Sequence, residues 1–157
     1  MRKRILTKRR ENLNNIIKNK ELVIIYAASA PTYQRYFLQD NNFLYFTGLE
    51  TPDAVFMLFK TGNKMNCKIF LERSIPEMVV WEGAKLPKEA AAKISGIDNI
   101  HYLDEFKWHL SNILQNTQKC FINIKISSLE SQLKKQHKLA DDIKNKHNEI
   151  INYNKRR

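Results

Sequence analysis

Residues 43 to 71 read FLYFTGLETPDAVFMLFKTGNKMNCKIFL. Two apolar runs, Ala54 to Lys60 and Cys67 to Leu71, flank Thr61-Gly62-Asn63-Lys64, the pattern of a β-hairpin. Upstream, Phe43 to Thr47 is predicted as a further strand, with Phe43, Tyr45 and Thr47 on one face and Leu44 and Phe46 on the other. Gly48 to Asp53 then forms a turn. Gly48 permits backbone angles closed to other residues, and Pro52-Asp53 sets the entry to the next strand.

Working outward, Leu22 to Tyr26 is a continuous, β-branched apolar run of the kind that fills a sheet covered on both faces, and Pro31 stops it from continuing. Before it, Leu6, Leu13, Ile16 and Ile17 share one stripe of a helix from about residue 4 to 19. Beyond the hairpin, Pro87 suits a first helical turn, Ala90-Ala91-Ala92 favours helix, and Gly96 stands where a cap belongs. Ile100 to Leu103 is a short strand. Asp104 caps a helix with Phe106, Leu110, Ile113 and Leu114 on one face, and Cys120 to Ile124 is a last strand. Ser127 and Glu130 form a capping box opening a Lys-rich helix with Leu129, Leu133, Ala140, Ile143 and Ile150 on a thin apolar side. That helix either leans on something outside its own domain or packs only partly. Strands interleaved with helices, without an internal repeat, predict a single α/β domain: a mixed sheet of five to six strands flanked by helices in three layers.

The chain has 157 residues, enough for one domain that needs neither disulfides nor metal to bury a core. At 43% hydrophobic and 10% aromatic residues it is not disordered by composition. The formal charge of +11 lies at the ends. Residues 1 to 20 hold eight Lys and Arg against Glu11 alone, and residues 134 to 157 hold eight against three carboxylates, while the interior is close to neutral. No apolar stretch reaches the roughly 20 residues of a membrane span. No apolar core follows the basic N-terminus, so export is not expected. Cys67 and Cys120 are too few for a disulfide framework, which fits a reducing, cytoplasmic setting.

No catalytic constellation is written in the residues. Glycines at 48, 62, 83 and 96 form no phosphate loop. His101, His109, His137 and His147 show no tight ligand spacing, and His109, beside Trp108, reads as a solvated helix residue. Both cysteines sit in strand runs and read as inert thiols. Asp40, Glu50, Asp53, Glu72 and Glu82 are the carboxylates a two-metal nuclease site would draw on, but turns and solvated ends explain each of them.

One segment says more. Tyr36 to Ala54, YFLQDNNFLYFTGLETPDA, resembles the aromatic-rich signature of the N-terminal domain of the aminopeptidase P (Xaa-Pro aminopeptidase) and creatinase/prolidase family. The residues that carry it are Gln39, Phe43, Tyr45, Thr47, Gly48, Pro52 and Asp53. Three landmarks follow the family's order: Arg9-Arg10 with Leu13, then Trp81-Glu82-Gly83-Ala84-Lys85, then Gly96-Ile97-Asp98. Leu38 stands where the family often has Arg, and Lys85 where Arg is usual, which keeps the charge but not the bidentate geometry.

The resemblance implies a ribonuclease H-like N-terminal domain over residues 1–150, with 151–157 the start of a linker or tail. The family's C-terminal pita-bread domain, which binds two manganese ions through two Asp, one His and two Glu and cleaves before proline, has no counterpart here. It further implies a non-catalytic domain that supports a homo-oligomer and covers a neighbouring subunit's active site, with the catalytic domain and neighbouring subunits as its partners. On that reading Trp81 closes over the substrate, with Glu82, Gly83 and Lys85 shaping its loop; alternatively Trp81 is a large core or interface aromatic. Two other functions remain open at this point. One is a free-standing interaction protein of the same fold. The other, which the charge suggests but no binding motif supports, is a small basic nucleic-acid binder.

Overall fold

The computed structural model describes residues 2–30, 36–123 and 141–145, the side chain of Glu82 apart. Among the described residues five strands form one mixed sheet: β1 (Glu21–Tyr26), β2 (Val55–Thr61), β3 (Lys64–Leu71), β4 (Ile100–Tyr102) and β5 (Lys119–Ile122), in the order β4-β3-β2-β1-β5. β2 and β3 form the expected antiparallel hairpin, with Thr61 opposite Lys64 and Gly62 at φ 58° in the two-residue turn. β1 lies antiparallel to β2 and parallel to β5, and β3 lies parallel to β4.

Strand alternation assigns each side chain to a face. Val23, Ile25, Phe56, Leu58, Ile69 and Leu71 point into one core, which is closed by Ile17, Phe43, Leu49, Ala91 and Ile97. Leu22, Ile24, Val55, Met57 and Phe70 point into the other, closed by Phe106, Leu110, Leu114 and Ile143. Helices α1 (Arg2–Ile16), α2 (Asn41–Thr47) and α4 (Lys88–Ser95) therefore cover the first face. Helix α5 (Phe106–Leu114) and the helical residues 141–145 cover the second. This is the three-layer α/β domain predicted from the sequence, and β1 has its four central residues buried, as a strand covered on both faces requires.

Several expectations are corrected. Phe43 to Thr47 is helix, not strand. Asp40 caps α2 by accepting from the Phe43 amide at 2.9 Å, and Gly48 ends it at φ 69°, ψ 12°. Buried Phe43 and Thr47 are therefore an i, i+4 pair on one helical face. A helix not foreseen, α3 (Pro76–Glu82), follows β3, with Pro76 at its first turn. Pro87 precedes α4 as its N-cap instead of entering the helix. Asp104 lies inside a 3-10 turn, Leu103–Glu105, that leads into α5. On α1 the buried stripe holds Leu6 and Arg10, with Leu13 half-buried behind them, while Ile16 is 79% exposed. The capping box at Ser127 and Glu130, the rest of the 127–150 helix, and the tail at 151–157 lie outside the described residues.

Candidate functional site

The signature residues form a strut between the first two helices. Arg10 sits on the buried stripe of α1, where it donates to the Phe46 carbonyl at 2.8 Å and the Thr7 hydroxyl at 3.2 Å; burial lowers its pKa. Arg9 donates to the Tyr45 carbonyl at 3.0 Å and lies over the half-exposed Tyr45 ring at 4.1 Å, and Arg2 reaches the Gly48 carbonyl at 3.4 Å. Three cations thus meet the last carbonyls of α2, where the helix dipole is negative and backbone acceptors lack partners. Three of the eight basic residues in the N-terminal stretch have this structural use. Thr47 closes its own turn by donating to the Phe43 carbonyl at 2.7 Å.

Gln39 is the second hub. Its Oε1 accepts from the Ala28 and Asp40 amides at 2.8 and 2.9 Å, and its Nε2 donates to the Thr51 and Leu49 carbonyls at 2.8 and 3.3 Å. One amide side chain therefore joins the end of β1, the start of α2 and the turn before β2. Asp53, at φ 53°, completes the turn after Pro52, its carboxylate accepting from the Ala30 amide at 3.1 Å.

Helix α3 and the loop after it carry the Trp81 segment. Trp81 is 85% exposed and its neighbour Val80 is 83% exposed, with Met78 and Ile75 also open to solvent. The side chain of Glu82 lies outside the described residues. Gly83 takes φ 78°, ψ 165°, a combination essentially confined to glycine. Lys85 is anchored at both ends: its amide donates to the Ser74 hydroxyl at 3.0 Å and its ammonium meets Glu72 at 3.1 Å. The structure does not bring Trp81 into the core. A groove of about 670 Å³ joins the two halves of the predicted set, with Gly48, Leu49 and Pro52 on one wall and Lys85, Leu86 and Pro87 on the other.

One cluster escaped the sequence reading. His109 is buried, not solvated, and its ring contacts Phe70 and His101. Its Nε2 lies 3.2 Å from His101 Nδ1, and Lys68 Nζ lies 2.9 Å from its Nδ1. Burial first, then the Lys68 and His101 charges, lower its pKa. Glu105 stands beside them, its pKa lowered chiefly by the Tyr102 amide. The spacing 101, 105, 109 holds the signal, a four-residue step taken twice, but the chain passes from strand to helix between its ends. The cluster does not match the two-manganese set of two Asp, one His and two Glu: it holds a single carboxylate, too few to hold a pair of ions, with a lysine alongside. Cys67 and Cys120 are free thiols, and burial pushes their pKa values up to about 11 and about 12.

Comparison with known proteins agrees with this architecture. Xaa-Pro aminopeptidase of Haemophilus influenzae is 34% identical over 80 residues, covering 51% of this chain and 19% of that protein. Xaa-Pro aminopeptidase 3 of Mus musculus is 31% identical over 85 residues, covering 52% of this chain and 17% of that protein. The chain thus spans about a fifth of the length of these relatives. A solved Bacillus anthracis structure assigned as an aminopeptidase P superposes with a TM-score of 0.76 at 31% identity, over 87% of this chain and 35% of that one. Escherichia coli aminopeptidase P, at 22% identity and a TM-score of 0.74, shares the fold over 94% of this chain and 32% of its own. Residues 6–122 match the family described as aminopeptidase P, N-terminal domain, and the chain belongs to that family.

Proposed function

We propose that the chain acts as the non-catalytic N-terminal domain of a Xaa-Pro aminopeptidase-like metallopeptidase, supporting its oligomer and covering an active site that removes a residue preceding proline. The observation that carries this is Trp81, which stands in solvent at the end of α3 with Val80 and Met78 beside it. An indole this exposed gains nothing for the isolated fold, and aromatic side chains of this kind are enriched where surfaces meet. The anchored Lys85 and the glycine-only geometry of Gly83 hold the loop behind it.

On this reading the catalytic groups, and the two manganese ions implied by the resemblance, belong to a partner domain. The Escherichia coli aminopeptidase P has also been solved in a zinc-substituted form. The two free thiols fit a reducing compartment such as the cytoplasm; a relative from Arabidopsis thaliana is named as mitochondrial.

The test joins this chain to the C-terminal domain of the Haemophilus influenzae relative in place of that enzyme's own N-terminal region. The chimera is expected to hydrolyse a Xaa-Pro peptide, with kcat/KM falling about tenfold in Trp81→Ala, and light scattering is expected to show an oligomer. An unchanged kcat/KM in Trp81→Ala would refute the cover, and a monomeric active chimera would refute the oligomer role.

A further inference from the structure

Three electron-pair donors converge where β4 runs into α5. His101 Nε2 lies 2.6 Å from Asn99 Oδ1. An amide oxygen only accepts, so Nε2 carries a proton, and in the neutral ring Nδ1 presents its lone pair on the other side. That lone pair faces Glu105 Oε2 at 3.3 Å and His109 Nε2 at 3.2 Å. Glu105 is oriented for this: its other oxygen, Oε1, accepts from the Tyr102 amide at 3.2 Å and has Lys88 Nζ at 3.9 Å. The three donor atoms lie within 4.8 Å of one another. Ligands at about 2.0–2.1 Å from a tetrahedral zinc ion stand about 3.3 Å apart, so the two shorter separations match edges of its coordination shell.

We propose that His101, Glu105 and His109 bind one divalent transition-metal ion of the zinc class, through Nδ1, Oε2 and Nε2 respectively. Two imidazoles and one carboxylate suit Zn²⁺ or Co²⁺ and not the all-oxygen shells of Ca²⁺ or Mg²⁺. Three protein ligands leave a fourth position for water. The ion would pin β4, a three-residue edge strand, to the first turns of α5. Lys68 opposes binding. With His109 ligating through Nε2, the proton on its Nδ1 faces the Lys68 ammonium 2.9 Å away, so the lysine must swing aside or lose its own proton.

The experiment titrates the untagged chain with Co²⁺, read by the intense visible absorption of tetrahedral cobalt, and then displaces it with Zn²⁺. One ion per chain is expected. His101→Gln and Glu105→Gln should each weaken binding by at least about tenfold while keeping the circular dichroism of the parent, and Lys68→Met should tighten it. The His137→Gln/His147→Gln double variant should bind as the parent does. The proposal is overturned if the parent binds no ion stoichiometrically, if both His101→Gln and Glu105→Gln keep its affinity, if Lys68→Met weakens binding, or if the double variant loses it.

Discussion

The Arg10 guanidinium donates to the Phe46 carbonyl at 2.8 Å from a position only 2% exposed, so that a cation of the first helix closes the last turn of the second. A buried charge without partners is costly, whereas one that answers two acceptors and a helix C-terminus is stabilising. Arg10→Lys keeps the charge but cannot span Phe46 and Thr7 together. It is expected to cost about 1–3 kcal/mol in urea unfolding, and Arg10→Met at least as much. A loss below the error of the measurement would mean that the strut contributes little.

Gln39 serves four backbone groups in three segments, and no other residue type of its size offers two acceptor and two donor sites. Gln39→Ala should destabilise the domain by about 1–3 kcal/mol, since part-buried amides and carbonyls lose their partners. Hydrogen exchange is the sharper readout: the Ala28 and Asp40 amides should lose protection, while those of β3 keep theirs.

Two glycines at similar φ separate strain from crowding. At Gly48, φ 69°, an added Cβ would meet Leu6 Cδ1 at 2.9 Å; at Gly62, φ 58°, it would meet nothing within 4 Å. Gly62→Ala is expected to cost about 1 kcal/mol from the left-handed backbone alone. Gly48→Ala adds a clash in a packed interior and should cost about 2–4 kcal/mol by thermal or urea unfolding.

Burial raises Cys67 from 9.0 to about 11 and Cys120 from 9.0 to about 12. Native thiols should therefore resist iodoacetamide at pH 8, and labelling should appear only with unfolding. The folded pKa values lie above the unfolded one. The corresponding stabilisation is thus fully present below pH about 9 and is lost as pH rises through about 11 and then 12. Rapid alkylation of either cysteine in the folded chain at pH 8 would contradict this.

Trp81, being outside the core, should be replaceable at little cost to the isolated chain: Trp81→Ala is expected to shift stability by no more than about 0.5 kcal/mol. Its fluorescence should be that of a solvated indole. A loss of several kcal/mol would return Trp81 to the core.

The sequence exposed the sheet more readily than the helices. β1 and β2 are centred on continuous apolar runs, β3 ends on the apolar Ile69 to Leu71, and a two-residue turn leaves no choice of pairing. Phe43 to Thr47 misled because four aromatic and apolar residues followed by a threonine satisfy the strand period and the helix period equally. The deciding signals were the flanking Asp40 and Gly48, an N-cap and a C-cap eight residues apart. Helix α3 was hidden because its apolar residues other than the half-buried Val79 stay exposed, leaving no buried stripe for periodicity to find. The burial of Arg10 left no mark in the sequence, since composition does not distinguish a cation that meets carbonyls from one that meets water. The histidine cluster needed the turn at Leu103–Glu105 to fold a strand residue back onto a helix.

The parallel pairing of β1 with β5 has a consequence for synthesis. Tyr26 is bridged to Asn123, 97 positions further along. Until Lys119 to Ile122 have left the ribosome, one side of Leu22 to Ile25 has no partner and presents four apolar residues as an open edge. A chain halted between residues 72 and 118 would carry the complete hairpin and still expose a sticky strand. Premature termination in that interval should yield aggregates where a stop after Asn123 supplies all five of the described strands.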